Sequence, residues 1–150
     1  MHRMFPLAVL IFCFYPGNAP ASSASDIILG KWQSMSGNVT VEVFKEGETF
    51  KAKLISFDDT DDISKPMNAR LDDMNPDGKL KNRKILGLDI VTDLIYNYND
   101  RRWENGTIYD TRSGKSWSAN AIITPGGLLQ VKGYWKFEFL SKSAKFRRVG

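Results

Sequence analysis

Paired carboxylates are the side chains of this sequence whose chemistry could support catalysis. Asp110 follows Tyr109 at the predicted tip of a hairpin, and Asp77 lies in a polar stretch that could reach the same end of a barrel. Two carboxylates can hydrolyse glycosides without a histidine. Asp110, however, is placed to cap the turn that it begins, and no nucleophile with an adjacent base is recognisable. We therefore expect a protein that is not an enzyme, with carboxylate-based hydrolysis as the alternative.

Cation binding by alternating oxygen side chains is a second candidate chemistry. Asp73, Asn75 and Asp77, followed by Gly78, match the first half of a calcium-binding loop. The twelfth position of such a loop requires a bidentate acid, and this chain has Lys84 there. The alternative is an Asx-turn in which these side chains cap backbone N–H groups. The lysine favours the turn, so we predict neither a metal nor a cofactor.

The N-terminus has the pattern of a secretory signal peptide. Arg3 precedes an apolar run at 4–15, and small residues at A-x-A spacing end at Ala21. Because this run is too short to span a bilayer, we predict a signal peptide at 1–21 rather than an anchor. We expect cleavage after Ala21, with Ala24 as the second choice. The mature chain would then have no transmembrane span and would reside in the periplasm or cell envelope of a Gram-negative bacterium.

Loss of this peptide would remove His2 and Cys13, the only histidine and the only cysteine of the chain. Phe12 stands where lipoprotein signals have a small residue, so we do not expect lipidation of the cysteine. Without these two residues, the usual disulfide, zinc and haem sites and every Cys- or His-based catalytic pair are excluded. Lys and Arg total 21 against 17 Asp and Glu, a modest excess that fits a soluble surface with a weak preference for anions. We do not expect nucleic acid as a partner outside the cytoplasm.

Alternation of apolar and polar residues predicts a single all-β domain. After a short leader at 22–28, the domain at 29–150 contains about eight strands separated by turns. The clearest alternation is at 39–43, 50–54 and 129–139. Evenly spaced strands with one apolar face are typical of an antiparallel up-and-down barrel or a sandwich.

One long polar loop interrupts this spacing after the third strand. It runs from 58 to 84, which is long for a loop of a compact domain and typical of a functional or mobile segment. A short helix near 68–74 would fit its non-alternating apolar residues, and strand signal resumes at Leu86.

Residues 103–124 form a predicted hairpin with an aromatic face. On the first arm, we expect Trp103, Thr107 and Tyr109 to share one face, with a bulge at Asn105 and Gly106. On the second arm, every second residue is apolar, namely Trp117, Ala119, Ala121 and Ile123.

Several short motifs, taken in their order along the chain, resemble the exported bacterial domain of unknown function family 2147. The positions that carry this resemblance are Gly30, Trp32, Asn75, Asp77, Arg83, Gly87, Gly106, Asp110, Gly114 and Tyr134. The resemblance covers nearly the whole mature chain and implies a lipocalin-like barrel in the periplasm or envelope, but no activity. Trp117 and Phe146 replace other aromatic residues of the family, and these exchanges leave the fold prediction intact. Within the motif, we expect Asp77 and Arg83 to form an ion pair that holds the long loop.

The first strand is also similar to the Gly-x-Trp opening of lipocalins, whose indole packs under an arginine that arrives from the end of the barrel. Gly30 and Trp32 supply this opening, and Arg147 and Arg148 are placed to supply the cation. A guanidinium over an indole is favourable by roughly 0.5–2 kcal/mol. We expect this pair to close one end of the barrel.

Small residues among large ones on the inner face suggest a ligand cavity. The predicted lining residues are Ala52, Leu88, Trp103, Tyr109, Trp117, Ala119, Ala121, Gly133 and Trp135. Small side chains can leave a pocket for an apolar or amphipathic ligand, or can make room for the tryptophans in a filled interior. We favour a ligand that enters beside the long loop.

A filled barrel is the alternative, and its outer surface would then contact an envelope protein or glycan. Tyr134 and a basic edge would form that surface. The basic edge consists of Lys142, Lys145, Arg147 and Arg148.

Overall fold

The protein is a closed antiparallel barrel of eight strands, in which each strand pairs with the next and the last pairs with the first. The computed structural model describes Gly17 and residues 23–134 and 141–150. The strands are β1 (Gly30–Ser34), β2 (Val39–Glu46), β3 (Thr49–Phe57), β4 (Asp89–Asn97), β5 (Arg102–Asp110), β6 (Lys115–Ile123), β7 (Leu129–Tyr134) and β8 (Ser141–Arg148). Short 3-10 helices span Ala24–Ile28, Met67–Ala69 and Gly78–Leu80. The predicted all-β architecture of about eight antiparallel strands is therefore confirmed.

Two of the sequence predictions fall on residues outside this description. The predicted signal peptide at 1–21 lies outside the described residues apart from Gly17, and Trp135 also lies outside them. Across the part of the chain that is described, no helix combines the length and apolar character needed to cross a membrane.

The interior of the barrel is built by period-two alternation. Val43 on β2 faces Ala52 on β3, which in turn faces Val91 on β4, and all three are buried. Phe50 packs its ring edge-on against Trp103 at 6.4 Å between centroids. These strands therefore contribute apolar faces to a common core.

The 3-10 helix at Ala24–Ile28 covers one end of the barrel, which we call the closed end. Ile28 is 1% exposed, and its carbonyl oxygen accepts a hydrogen bond from the Trp32 indole nitrogen at 2.8 Å. The Trp103 indole nitrogen donates to the Ser25 carbonyl oxygen at 3.2 Å. The segment predicted as a leader thus satisfies two buried indole N–H groups, which would be costly to leave unpaired.

Arg148 completes the closed end. Its guanidinium lies 4.3 Å from the centroid of the Trp32 ring and donates to the carbonyl oxygens of Ile27 and Leu29, the latter at 2.7 Å. Gly30 has a φ of +125°, and a Cβ atom there would lie 2.8 Å from Arg148 Nη1. The predicted stacking of an arginine on Trp32 is therefore confirmed, with Arg148 as the partner.

Arg147, the other predicted candidate, has a different role. Its side chain donates to Gln33 Oε1 at 2.8 Å on the outer surface, beside the same pair of strands.

The long connection between β3 and β4 carries two of the 3-10 helices and a single antiparallel bridge between Leu71 and Lys84. The predicted strand start at Leu86 is wrong, since β4 begins at Asp89. Leu88 lies before the strand, where its carbonyl oxygen accepts a hydrogen bond from the Leu54 N–H.

The expectation that Trp103 and Tyr109 share a face is wrong. Trp103 faces Ala121, whereas Tyr109 faces Ser116 on the outer side of the wall. Asn105, with a φ of +64°, lies where the register of β5 against β6 shifts. The predicted bulge is present, but it adds one residue and so reverses which side chains point inward.

Replacement of Arg148 by Ala should destabilise the fold by about 1–2 kcal/mol, because it removes a cation–π contact and two charged hydrogen bonds that are partly screened by solvent. Urea unfolding followed by tryptophan fluorescence would measure this loss. Arg147→Ala is the matched control on the same strand and should change the free energy of unfolding by less than about 0.5 kcal/mol. Equal effects of the two variants would contradict a special role for Arg148.

Candidate functional site

The barrel encloses a cavity of about 390 Å³. Residues of β2 to β8 line its wall, and Ile28 of the first 3-10 helix forms its floor. Arg112, at the β5–β6 turn, and Lys142, on β8, line the opposite end. Because the Arg112 side chain is 93% exposed, the cavity reaches solvent there, and we call this the open end.

Rows of small side chains explain why the barrel is hollow. Ala121 faces Val131, which faces Ala144 on the next strand. One step nearer the open end, Ala119 faces Gly133. Short side chains on neighbouring strands leave volume that the larger residues at the closed end do not fill.

Four of the predicted lining residues line the cavity, namely Ala52, Trp117, Ala121 and Gly133. Trp103 and Ala119 are fully buried but belong to the packed wall around it. Leu88 precedes β4, and Tyr109 lies on the outer face, so neither contributes.

The predicted set lacked most of the residues that line the cavity, among them the aliphatic residues of β2 and β4 and also Ile28, Arg112 and Lys142. The signal for Lys142 was present, because it has the same period-two position as Ala144 and Phe146, which both line the cavity. The predicted basic edge is therefore not a single surface. Lys142 lies on the inner face, whereas Lys145 faces outward opposite Gln130.

A buried carboxylate fixes the long loop to the outside of the barrel. Asp72 is 0% exposed and accepts hydrogen bonds from Tyr109 Oη at 2.6 Å, Asn75 Nδ2 at 2.8 Å and Arg83 Nε at 2.8 Å. We call these four residues the Asp72 cluster. The Arg83 guanidinium also lies 5.7 Å from the centroid of the Tyr109 ring. The cluster thus joins two parts of the loop to β5.

The hydrogen bonds of the cluster determine its protonation state. Burial alone would raise the pKa of Asp72, but the three hydrogen bonds and the charge of Arg83 hold this pKa below its usual value. Burial, together with donation to Asp72, raises the pKa of Tyr109 to about 12. Asp72 is therefore ionised and Tyr109 protonated at neutral pH, which suits a structural anchor.

The predicted ion pair between Asp77 and Arg83 is wrong, since Arg83 pairs with Asp72. Asp77 instead caps the 3-10 helix at Gly78–Leu80 by accepting from the Lys79 N–H at 3.0 Å. The sequence does not mark Asp72 as the partner of Arg83, because Asp72 is one of several acids in the same polar stretch.

The half-match to a calcium loop forms an Asx-turn. The Asp77 N–H donates to Asn75 Oδ1 at 2.8 Å, and the other end of the Asn75 amide is bound to Asp72. Within the described residues, no group of three or more His, Cys, Asp or Glu side chains is placed to hold a metal.

Asp110, the other carboxylate considered for catalysis, forms hydrogen bonds within its own turn. It accepts from the Arg112 N–H at 3.0 Å and from Ser113 Oγ at 2.9 Å. Gly114 ends this turn against the long loop, where a Cβ atom would lie 2.0 Å from the Met74 carbonyl oxygen. The glycine is required by this close approach of two backbones.

A second, polar cleft of about 290 Å³ lies between the long loop and the outer face of β4 to β6. Its lining residues include Arg83, Asp89, Thr107 and Ser116. It differs from the barrel cavity in being walled by charged and hydroxyl groups.

Comparison with known proteins identifies the family. The sequence profile of domain of unknown function family 2147, described as an uncharacterized protein conserved in bacteria, matches residues 30–148. The chain belongs to this family. The family match thus takes in all eight strands, with the exposed end of the chain after β8 outside it.

The fold is also similar to that of a solved structure. A protein of the human pathogen Helicobacter pylori, described as belonging to the lipocalin family, superposes with a TM-score of 0.68 at 26% sequence identity, over 82% of this chain and 83% of that one. This chain is therefore a lipocalin-like barrel. Comparison with curated proteins gave no match.

Asp72→Asn should destabilise the protein by about 2–3 kcal/mol at pH 7, because Arg83 would lose its buried anionic partner while staying partly hydrated. Since the folded-state pKa of Asp72 is lowered, its contribution is complete above the usual pKa of about 3.9 and is lost as pH falls through the folded value. Urea unfolding at several pH values should show the gap between wild type and variant narrowing below about pH 4. A gap that stays constant down to pH 2 would contradict this account.

Proposed function

We propose that the protein is an exported, non-enzymatic binding protein that holds a small apolar or amphipathic molecule inside its barrel. The cavity is the observation that supports this proposal. Its volume of about 390 Å³ is at the lower end of the roughly 300–1,000 Å³ of small-molecule sites. A lipocalin-like barrel is also an architecture in which a single small ligand fits.

The chemistry of the wall favours an apolar ligand body. The side chains around the middle of the cavity are aliphatic, including Val41, Val43 and Leu94. Burial of apolar ligand surface against them is favourable by about 25 cal/mol per Å². A polar molecule would lose its hydration there without finding hydrogen-bond partners.

The ligand would enter between Arg112 and Lys142. We expected it to enter beside the loop at 58–84, but no residue of that loop lines the cavity. The Asp72 cluster instead holds the loop against the outer wall. The route through the open end requires no movement of that anchor.

The proposed location, in the periplasm or cell envelope, rests on the N-terminal sequence at 1–21. Cleavage after Ala21 would keep Ser23, whose side chain accepts from the Ser25 N–H and caps the 3-10 helix. Cleavage after Ala24 would remove that cap. The proposal therefore takes Ser22 as the first residue of the mature protein.

Native mass spectrometry of the mature protein, purified from a bacterial periplasm without detergent, would test the proposal directly. We expect a stoichiometric small-molecule adduct, and we expect N-phenyl-1-naphthylamine to bind and accept energy from Trp117 in the cavity wall. Ala121→Phe should abolish dye binding by filling the cavity, whereas Ile122→Phe, which is on the outer face of the same strand, should retain it. Both variants should keep the β-sheet circular dichroism spectrum.

Two results would oppose a hollow binding barrel. One is a bare mass that stays unchanged after incubation with envelope lipid extract, together with no dye binding. The other is undiminished dye binding by a folded Ala121→Phe variant.

The outer polar cleft favours a second candidate function, the recognition of an envelope glycan. Its hydroxyls and charged groups are the kind that bind sugar hydroxyls, and its volume of about 290 Å³ suits one small polar unit. This function would not need the barrel interior.

Thr107→Leu should block the cleft without touching the cavity, since Thr107 lines only the former. In an NMR titration with a disaccharide of N-acetylglucosamine and N-acetylmuramic acid, we expect shifts at cleft residues that this variant removes and Ala121→Phe preserves. Binding of N-phenyl-1-naphthylamine should instead be retained by Thr107→Leu and lost in Ala121→Phe. Absence of shifts in the wild-type cleft would dismiss the glycan function.

A further inference from the structure

Lys142 occupies an unusual place for a charged residue, since it lies on the inner face of the barrel. It faces Gly133 on β7, and the next inward residues of its strand are Ala144 and Phe146. The glycine and alanine beside it leave space for the lysine stem to lie along the wall. Lys142 is exposed and lines the open end of the cavity, where a lysine can keep its ammonium group in water.

Among the described residues, no acid pairs with Lys142, whereas Arg112 pairs with Asp110. No Asp or Glu lines the cavity in the part of the chain that is described, and Lys142 forms no ion pair with any described residue. Arg112 contributes a second cation, with its Nε atom 3.7 Å from Asp110 Oδ1. The cavity therefore has an aliphatic body and a cationic opening.

We propose that the ligand is an anionic amphiphile whose carboxylate or phosphate headgroup pairs with Lys142 while its tail extends towards Ile28. This inference rests on the proposed ligand-binding function. The headgroup remains beside solvent, where it keeps part of its hydration, and the tail fills the aliphatic body. A reversed ligand would bury its charge at the floor, which is far less favourable.

A structural role for Lys142 makes different predictions. The described pairs between β1 and β8 join Trp32, Gln33 and Ser34 to 146–148, so Lys142 lies beyond them. A charge at such a strand end can prevent pairing with another chain. In that case its replacement would change the oligomeric state and leave the preference for a headgroup unchanged.

The test uses three probes with the same tail, namely decanoate, decyl phosphate and decanol. Isothermal titration calorimetry at low and high salt would compare wild type with Lys142→Met, which keeps the stem, and Lys142→Glu. Lys145→Glu is the matched control, because Lys145 lies on the same strand but faces outward. Size-exclusion chromatography of each variant would follow the oligomeric state.

We expect wild type to prefer the anionic probes to decanol by roughly tenfold at low salt, with the preference decreasing at high salt. Lys142→Met should remove this preference and Lys142→Glu should reverse it, while Lys145→Glu should retain it. Comparison of decanoate with decyl phosphate would identify which anion fits better.

Failure of the inference is distinguishable from failure of the proposed function. Equal affinity of wild type for all three probes would overturn the anionic headgroup while leaving the binding barrel intact. The same holds if Lys142→Met keeps the preference, or if it changes only the oligomeric state. Absence of binding by every probe would overturn both.

Discussion

The stacking of Arg148 on Trp32 is the contact on which the rest of the barrel depends. Arg148 comes from the last strand and Trp32 from the first, so the pair reinforces the seam where the sheet closes on itself. Through the carbonyl oxygens of Ile27 and Leu29, the same guanidinium also holds the 3-10 helix that covers the closed end. A cavity with a floor follows from this arrangement, because the 3-10 helix reaches across the closed end.

The Asp72 cluster likewise joins distant parts of the chain, here on the outside of the barrel. An ionised carboxylate without exposure to water is stable only when its acceptor sites are filled, and here three donors fill them. The cost of breaking this arrangement holds a long polar segment against β5. The loop is therefore an ordered wall of the outer cleft, and Arg112 and Lys142 line the open end of the barrel in the part of the chain that is described.

The sequence was sufficient for the fold because alternation, turns and the Gly30–Trp32 opening all indicate one architecture. It was less reliable for individual side chains. The bulge at Asn105 was recognised, but a single extra residue reversed the direction of Tyr109. Asp72 is one acid among several neighbours, and only the folded chain brings Tyr109 to it. Long-range contacts of this kind leave no local pattern from which they could be predicted.

The division of the cavity into an aliphatic body and a cationic opening bears on selectivity. An apolar wall distinguishes ligands weakly, since each methylene group contributes only about 0.8 kcal/mol and tails of many shapes can be accommodated. Discrimination in such a site comes from the few polar groups that fix orientation. In this barrel Arg112 and Lys142 lie at the open end, and Lys142 belongs to an otherwise apolar inward row of β8. A charged residue that interrupts an inward apolar row is thus the feature by which this site would select among amphiphiles, because the rest of its wall is permissive.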